Sequence, residues 1–217
     1  MKYVVLLSDG MAGRTLLELN GRTTLEAAAT PVMDCLSKVS EVGMASMVPE
    51  GMAPGSDTAN LAVMGYDPKV YYTGRSPLEA LSIGVDMEET DVSFRCNIVT
   101  LSEEDCAYED RTIIDHSSDE ISTEDAAILL EALREGLEKE GYRFYAGTSY
   151  RHLLIWKNGD VVELTPPHDI LTKRIGDYLP QDEVLRDMMK KSYDILVNHP
   201  INIERKKKGL NPANSCW

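Results

Sequence analysis

At 217 residues the chain has room for one large domain or two smaller ones, and a hydrophobic content of 43% supports a packed core and excludes a disordered chain. A net charge of −14 and a pI near 4.7 argue against nucleic acid or an anionic membrane as partner, though a few local Arg residues can still hold a phosphate in a cleft. The four cysteines, Cys35, Cys96, Cys106 and Cys216, form no CxxC pair and fit neither a zinc knuckle nor a disulfide framework, so reduced thiols in a cytoplasmic protein are expected.

Lys2 to Leu7 reads as a buried parallel-type strand, too short for a signal-peptide core, and it ends at Ser8-Asp9-Gly10-Met11. Thr30-Pro31 opens a helix with Thr30 as N-cap and Val32, Met33, Leu36 and Val39 as its buried stripe. Glu41 to Val48 reads as a second strand. Pro54-Gly55 then delivers Ser56 to the head of a helix. This alternation predicts an α/β fold. Asp86 to Asp91 is an acidic connector, and beyond it the pattern becomes α+β. Strands are expected over Phe94 to Leu101, Tyr142 to Ala146, Leu153 to Trp156 and Val161-Val162, with helices over Ser122 to Glu140 and Asp182 to Asn198.

Ser56 sits where a helix start offers free N–H groups and a positive dipole end to an anion such as a phosphoryl group. Asp9 follows an apolar strand, where ligands collect in open α/β sheets, and is a hard oxygen donor for a divalent cation. Together they point to phosphoryl transfer through a phosphoserine. The plainer alternatives are an N-cap for Ser56 and a turn residue for Asp9. Asn60, four residues on, shares a helix face with Ser56. His168-Asp169, after two prolines, reads as a structural turn. Arg205-Lys206-Lys207-Lys208 reads as a solvated linker, and no P-loop sequence occurs.

Several segments follow one another in order: Asp9-Gly10-Met11-Ala12, Thr24-Leu25-Glu26-Ala27-Ala28, Pro54-Gly55-Ser56-Asp57-Thr58-Ala59-Asn60, Gly65-Tyr66-Asp67-Pro68 and Tyr72-Thr73-Gly74-Arg75. Tyr150-Arg151-His152, Pro167-His168-Asp169 and His199-Pro200-Ile201-Asn202 continue the series. The chain resembles the archaeal-type, cofactor-independent phosphoglycerate mutases of the alkaline-phosphatase superfamily. That resemblance implies an incomplete alkaline-phosphatase-like α/β core with an inserted α+β domain. Residues 1–86 would begin the core, 87–204 would form the insert, and 205–217 would return to the core.

The resemblance further implies interconversion of 3-phosphoglycerate and 2-phosphoglycerate with Ser56 as nucleophile. It implies two divalent ions (Mn, Mg or Zn) with Asp9 and Ser56 among their ligands, and no bisphosphoglycerate. The family's later ligands, an Asp-x-x-x-His motif, an Asp-His pair and a further His near the C-terminus, have no counterpart up to Trp217, so this reads as the front half of a longer enzyme. The substrate is a small phosphorylated acid, for which Asn60, Arg95, Asp115, His116, Arg151, His152 and Arg205 are candidate contacts, the arginines because Arg suits bidentate recognition of phosphate and carboxylate. Each could equally be a surface side chain or structural pair. The alternatives are a homoserine-kinase-like homologue and a non-catalytic binding fragment.

Overall fold

The structure, a computed structural model, describes residues 2–8 and 10–217. Residues up to the acidic connector form short helices joined by irregular chain. They are α1 (Thr24–Ala27), α2 (Pro31–Ser37), α3 (Ser56–Val63), α4 (Pro68–Tyr71) and α5 (Arg75–Ser82). Local signals set several of the starts. Thr23 and Glu26 close a capping box on α1, and the Asp67 carboxylate accepts the Lys69 N–H ahead of Pro68 on α4.

The two strands expected in this segment are not formed: residues 2–8 and 41–46 are irregular and exposed. A strand apolar on both faces is stable only between neighbours that pair its backbone and cover its faces. No described part of the first 91 residues supplies them, and Val4 and Leu6 remain about nine-tenths exposed. The stripe Val32, Met33, Leu36 and Val39 of α2 is exposed for the same reason. Thr30 does not cap α2 with its side chain; its hydroxyl donates to the Asp34 carboxylate at 2.9 Å.

The core lies beyond the connector. Strands β1 (Val92–Leu101), β2 (Ile113–Asp115), β3 (Tyr142–Tyr145) and β4 (Arg151–Trp156) form a sheet in the order β2-β1-β4-β3, and β5 (Ser215–Cys216) also pairs with β1. Every one of these pairings is antiparallel. The fold described is thus helix with antiparallel sheet, and the parallel α/β half of the sequence expectation is not seen among the described residues. Helix α6 (Thr123–Leu137) starts at Ser122, whose hydroxyl accepts the Asp125 N–H at 3.1 Å, and buries Leu129, Leu130, Leu133 and Leu137. Helix α7 (Glu183–Leu196) starts at Asp182 and buries Leu185, Met188, Met189 and Leu196 beside it.

Two expectations after residue 160 need correction. The strand at Val161-Val162 is absent and Val161 is 90% exposed. Residues 205–217 complete this same antiparallel unit: they finish α8 (Pro200–Lys207) and supply β5, with Cys216 opposite Ile98. Asn214 extends that pairing with its side chain, accepting the Leu101 N–H at 2.7 Å and donating to the Leu101 carbonyl at 2.9 Å. No helix among the described residues is long and apolar enough to cross a membrane.

Candidate functional site

A cavity of about 1550 Å³ opens between the sheet and the segment that carries α3 to α5. Strand periodicity selects its wall. Asn97 on β1 lies opposite Arg151 on β4, so both side chains stand on one face. On its other side Asn97 exchanges both backbone hydrogen bonds with Trp217 at 2.8 Å. Arg151, Asn97 and Trp217, the residue after β5, therefore form one row, and all three line the cavity. Arg95, two residues before Asn97, shares their face and lines it too.

The opposite wall comes from α5 and the turn before it. Arg75 pairs with Glu79 at 3.4 Å, and Glu79 reaches Arg95 at 3.8 Å, tying α5 to β1. Gly74 turns the chain into α5 at φ +122°, a value that disfavours a side chain. Tyr72 donates its hydroxyl proton to the carboxylate of Asp57, the residue after Ser56, and that carboxylate also accepts the Thr58 N–H at 3.0 Å. Burial works against the Asp57 charge, but the Tyr72 and Thr58 hydrogen bonds and the Arg75 charge prevail and hold its carboxyl below the usual carboxylate range. Burial together with the Asp57 carboxylate pushes the Tyr72 hydroxyl up to about 12.

Three polar atoms on this wall are buried without a hydrogen-bond partner: Arg95 Nε, Asn97 Oδ1 and His116 Nδ1. Buried polar atoms in a folded protein are normally paired, and such a group beside a cavity points to a ligand. The imidazole of His116 stands edge-on to Tyr150, with ring centres 5.7 Å apart, and to His168 at 6.2 Å. The Arg151 guanidinium lies over the Tyr150 ring at 5.4 Å. Arg75, Arg95 and Arg151 thus share one cavity in a chain of net charge −14, with Asp57, Asp86, Glu89 and Asp91 also on its walls.

The expected site residues separate into groups. Arg95, His116 and Arg151 line the cavity. Ser56 is exposed as the first residue of α3, one position from the Asp57–Tyr72 contact, and Asn60 lies exposed one turn on; neither lines the cavity. Asp115 turns its carboxylate onto the N–H of Ser117 at 2.9 Å and onto that of Asp119. His152, one residue past Arg151, faces the opposite side of the sheet. It is 1% exposed, accepts the Gly147 N–H on Nδ1 at 3.2 Å, and burial with the Arg134 charge lowers its pKa to about 4. Arg205 is buried on the carbonyls of Ser118 and Asn211. Asp115, His152 and Arg205 are therefore structural in their direct contacts.

Sequence reading overlooked Asn97, Tyr72 and Trp217, and took His168 for a turn residue only. His168 does lie in a short 3-10 turn, Pro167–Ile170, yet it lines the cavity. The i, i+2 spacing from Arg95 could have found Asn97; no local signal marks Trp217. Among the described residues no group of three or more His, Cys, Asp or Glu could hold a metal ion. Asp9 lies outside the described residues, and the Asp57 carboxylate is already engaged. The described side chains do not by themselves make a two-cation centre.

A family model described as 2,3-bisphosphoglycerate-independent phosphoglycerate mutase matches residues 37–202. A curated protein of that name from Methanosarcina barkeri is 48% identical across the whole chain, which covers 54% of that relative. One from Geobacter sulfurreducens, named as a probable 2,3-bisphosphoglycerate-independent phosphoglycerate mutase, is 45% identical, with 100% of this chain and 55% of the relative covered. The chain spans about half the length of the curated relatives it matches. A solved Pyrococcus horikoshii structure superposes with a TM-score of 0.67 at 28% identity, over 96% of this chain and 48% of the other. The structure of a cofactor-independent phosphoglycerate mutase from Thermoplasma acidophilum gives a TM-score of 0.53 at 30% identity, over 95% and 55%.

Proposed function

Because the chain belongs to the 2,3-bisphosphoglycerate-independent phosphoglycerate mutase family, we propose that it carries the nucleophile and much of the substrate cavity of an enzyme that interconverts 3-phosphoglycerate and 2-phosphoglycerate. The observation that carries this reading is the cavity wall of Arg95, Asn97, His116 and Arg151, where one buried polar atom each of Arg95, Asn97 and His116 makes no hydrogen bond, facing the segment that holds Ser56. A phosphoglycerate has a phosphate and a carboxylate to satisfy. Two guanidinium groups and an imidazole on one wall suit both anions.

In this reading Ser56 Oγ attacks the phosphorus of the bound ester. The bond from phosphorus to the substrate oxygen breaks as the serine ester forms, and the proton lost by Ser56 ends on the freed hydroxyl. The glycerate, held by Arg95 and Arg151, turns so that its other hydroxyl attacks the phosphoserine, and the serine regains a proton. Closure of the walls excludes water, which would otherwise hydrolyse the phosphoserine. Asp9 and Ser56 are this chain's contribution to a two-cation site for Mn, Mg or Zn, and no bisphosphoglycerate takes part. Residues 1–86 and 87–204 act as two lobes, with 205–217 completing the second through β5.

The test is phosphorus NMR of the full-length protein carrying these residues, supplied with 3-phosphoglycerate. 2-Phosphoglycerate is expected to accumulate, and Ser56→Ala is expected to abolish it while changing stability by no more than about 0.5 kcal/mol, since Ser56 is exposed. Turnover by a folded Ser56→Ala protein would refute the nucleophile. Phosphorylation of homoserine from ATP, with phosphoglycerate left unchanged, would refute the substrate.

A further inference from the structure

His116 is followed by an unusual stretch of backbone. Ser118, Asp119 and Glu120 all have positive φ, at 50°, 55° and 50°. Three successive non-glycine residues in the left-handed region are unfavourable, because each Cβ crowds the following carbonyl. Such a stretch persists only where its surroundings over-determine it, and here they do.

Asp115 holds the turn from within. One carboxylate oxygen accepts the Ser117 N–H and hydroxyl, both at 2.9 Å, and the other accepts the Asp119 N–H. From the sheet side, the fully buried Ser118 hydroxyl donates to the Ile98 carbonyl and accepts from the Thr100 hydroxyl, both at 3.2 Å. From α8, the buried Arg205 guanidinium donates to the Ser118 carbonyl, and through Nε to the Asn211 carbonyl at 2.9 Å. Asn211 returns two bonds to the Asp119 carboxylate, at 2.7 Å and 2.9 Å. The backbone that leaves His116 is therefore fixed on three sides, while its Nδ1, 3.8 Å from the Asp115 carboxylate, makes no hydrogen bond and stands beside the cavity.

We propose that Asp115 and Arg205 are positioning residues of the site: they hold the left-handed turn that aims the His116 imidazole at the cavity. The inference rests on reading that cavity as the phosphoglycerate site, and it moves both residues from direct substrate contact to indirect control. The left-handed run begins two residues after the cavity-lining imidazole, so its conformation sets the direction in which the chain leaves His116.

The test uses the 217-residue chain. Asp115→Asn replaces one acceptor with an amide donor facing the Asp119 N–H, and Arg205→Lys keeps the charge but cannot bridge both carbonyls. Each is expected to shift the His116 imidazole resonances in ligand-free spectra. Each is also expected to weaken 3-phosphoglycerate binding by about tenfold in calorimetry, with cooperative melting retained. Adding Glu120→Gly to Asp115→Asn removes one left-handed Cβ and should restore binding by about threefold or more. If Asp115→Asn does not fold, Arg205→Lys and its Glu120→Gly double variant carry the same comparison. Unchanged His116 resonances in a folded variant, or failure of Glu120→Gly to restore them, would overturn the inference. Failure of the wild-type chain to bind 3-phosphoglycerate would count against the cavity reading alone, since the ligand-free His116 spectra still decide the positioning role.

Discussion

Asn202 is the polar residue whose loss should be felt most. It is fully buried in α8, and its amide donates to the Leu196 and Ala213 carbonyls at 2.8 Å each and accepts the Ala213 N–H at 2.7 Å. These bonds close the end of α7 and α8 over the segment that leads into β5. In Asn202→Ala the Leu196 carbonyl still accepts the His199 N–H at 3.0 Å, but both backbone groups of Ala213 lose the Asn202 side chain. Each of these two buried groups left unpaired costs about 1–3 kcal/mol, for a total of about 2–6 kcal/mol. That is a large share of the roughly 5–15 kcal/mol that holds a typical domain together. With a urea dependence of about 2 kcal/mol per molar, the unfolding midpoint should fall by about 1–3 M. The assay is urea titration followed by the fluorescence of Trp156 and Trp217. A fall of less than about 0.5 M, with unchanged slope, would refute the claim that this amide closes the corner.

Two further outcomes follow from the titrating groups. His152 is lowered from 6.5 to about 4 by burial and by the Arg134 charge, so the unfolded chain takes up its proton first as the pH falls. Its contribution is fully present above the unfolded value and lost on descent toward pH 4, about 3 kcal/mol in all. Denaturant titrations across that range should show the loss, and His152→Asn should flatten it; an unaltered profile in the variant would contradict the assignment. Tyr72→Phe removes a donor to Asp57, so the Asp57 carboxyl should titrate higher in carbon-detected NMR, with stability changed by about 1 kcal/mol at this part-buried contact. Gly55→Ala should act in the same direction, because its Cβ would stand 2.4 Å from Asp57 Oδ1. That is a matter of space, since Gly55 has an ordinary extended backbone at φ −159°. An Asp57 titration identical to wild type in both variants would dismiss the contact.

Much of the local structure was legible. Ser122 and Asp182 open their helices with side-chain caps, Pro54-Gly55 leads into a helix at Ser56, and the apolar spacing of Leu129, Leu133 and Leu137 gives the buried face of α6, while Ile128, expected on the same face, is half exposed. The site was legible in part. Arg95, His116 and Arg151 reach the cavity, but residue type alone did not separate Arg151 from His152, which the strand's alternation sends to opposite faces. The N-terminal strand was misread because its apolar character predicts burial, and burial depends on neighbours that lie nowhere in the local sequence.

Capping, turn formation and hydrophobic periodicity act over a few residues, so the sequence by itself determined where the two longest helices and the longer strands would form, and that arginines would be available for an anion. The row Arg151–Asn97–Trp217 depends instead on strand register. The Arg205 clamp on Ser118 joins residues 87 positions apart, and the Asn214 bridge to Leu101 joins residues 113 apart. Nothing in either local stretch encodes such a partner. It is selected only when closing the long loop between them is repaid by burial and hydrogen bonding at the far end, and that selection belongs to the tertiary structure.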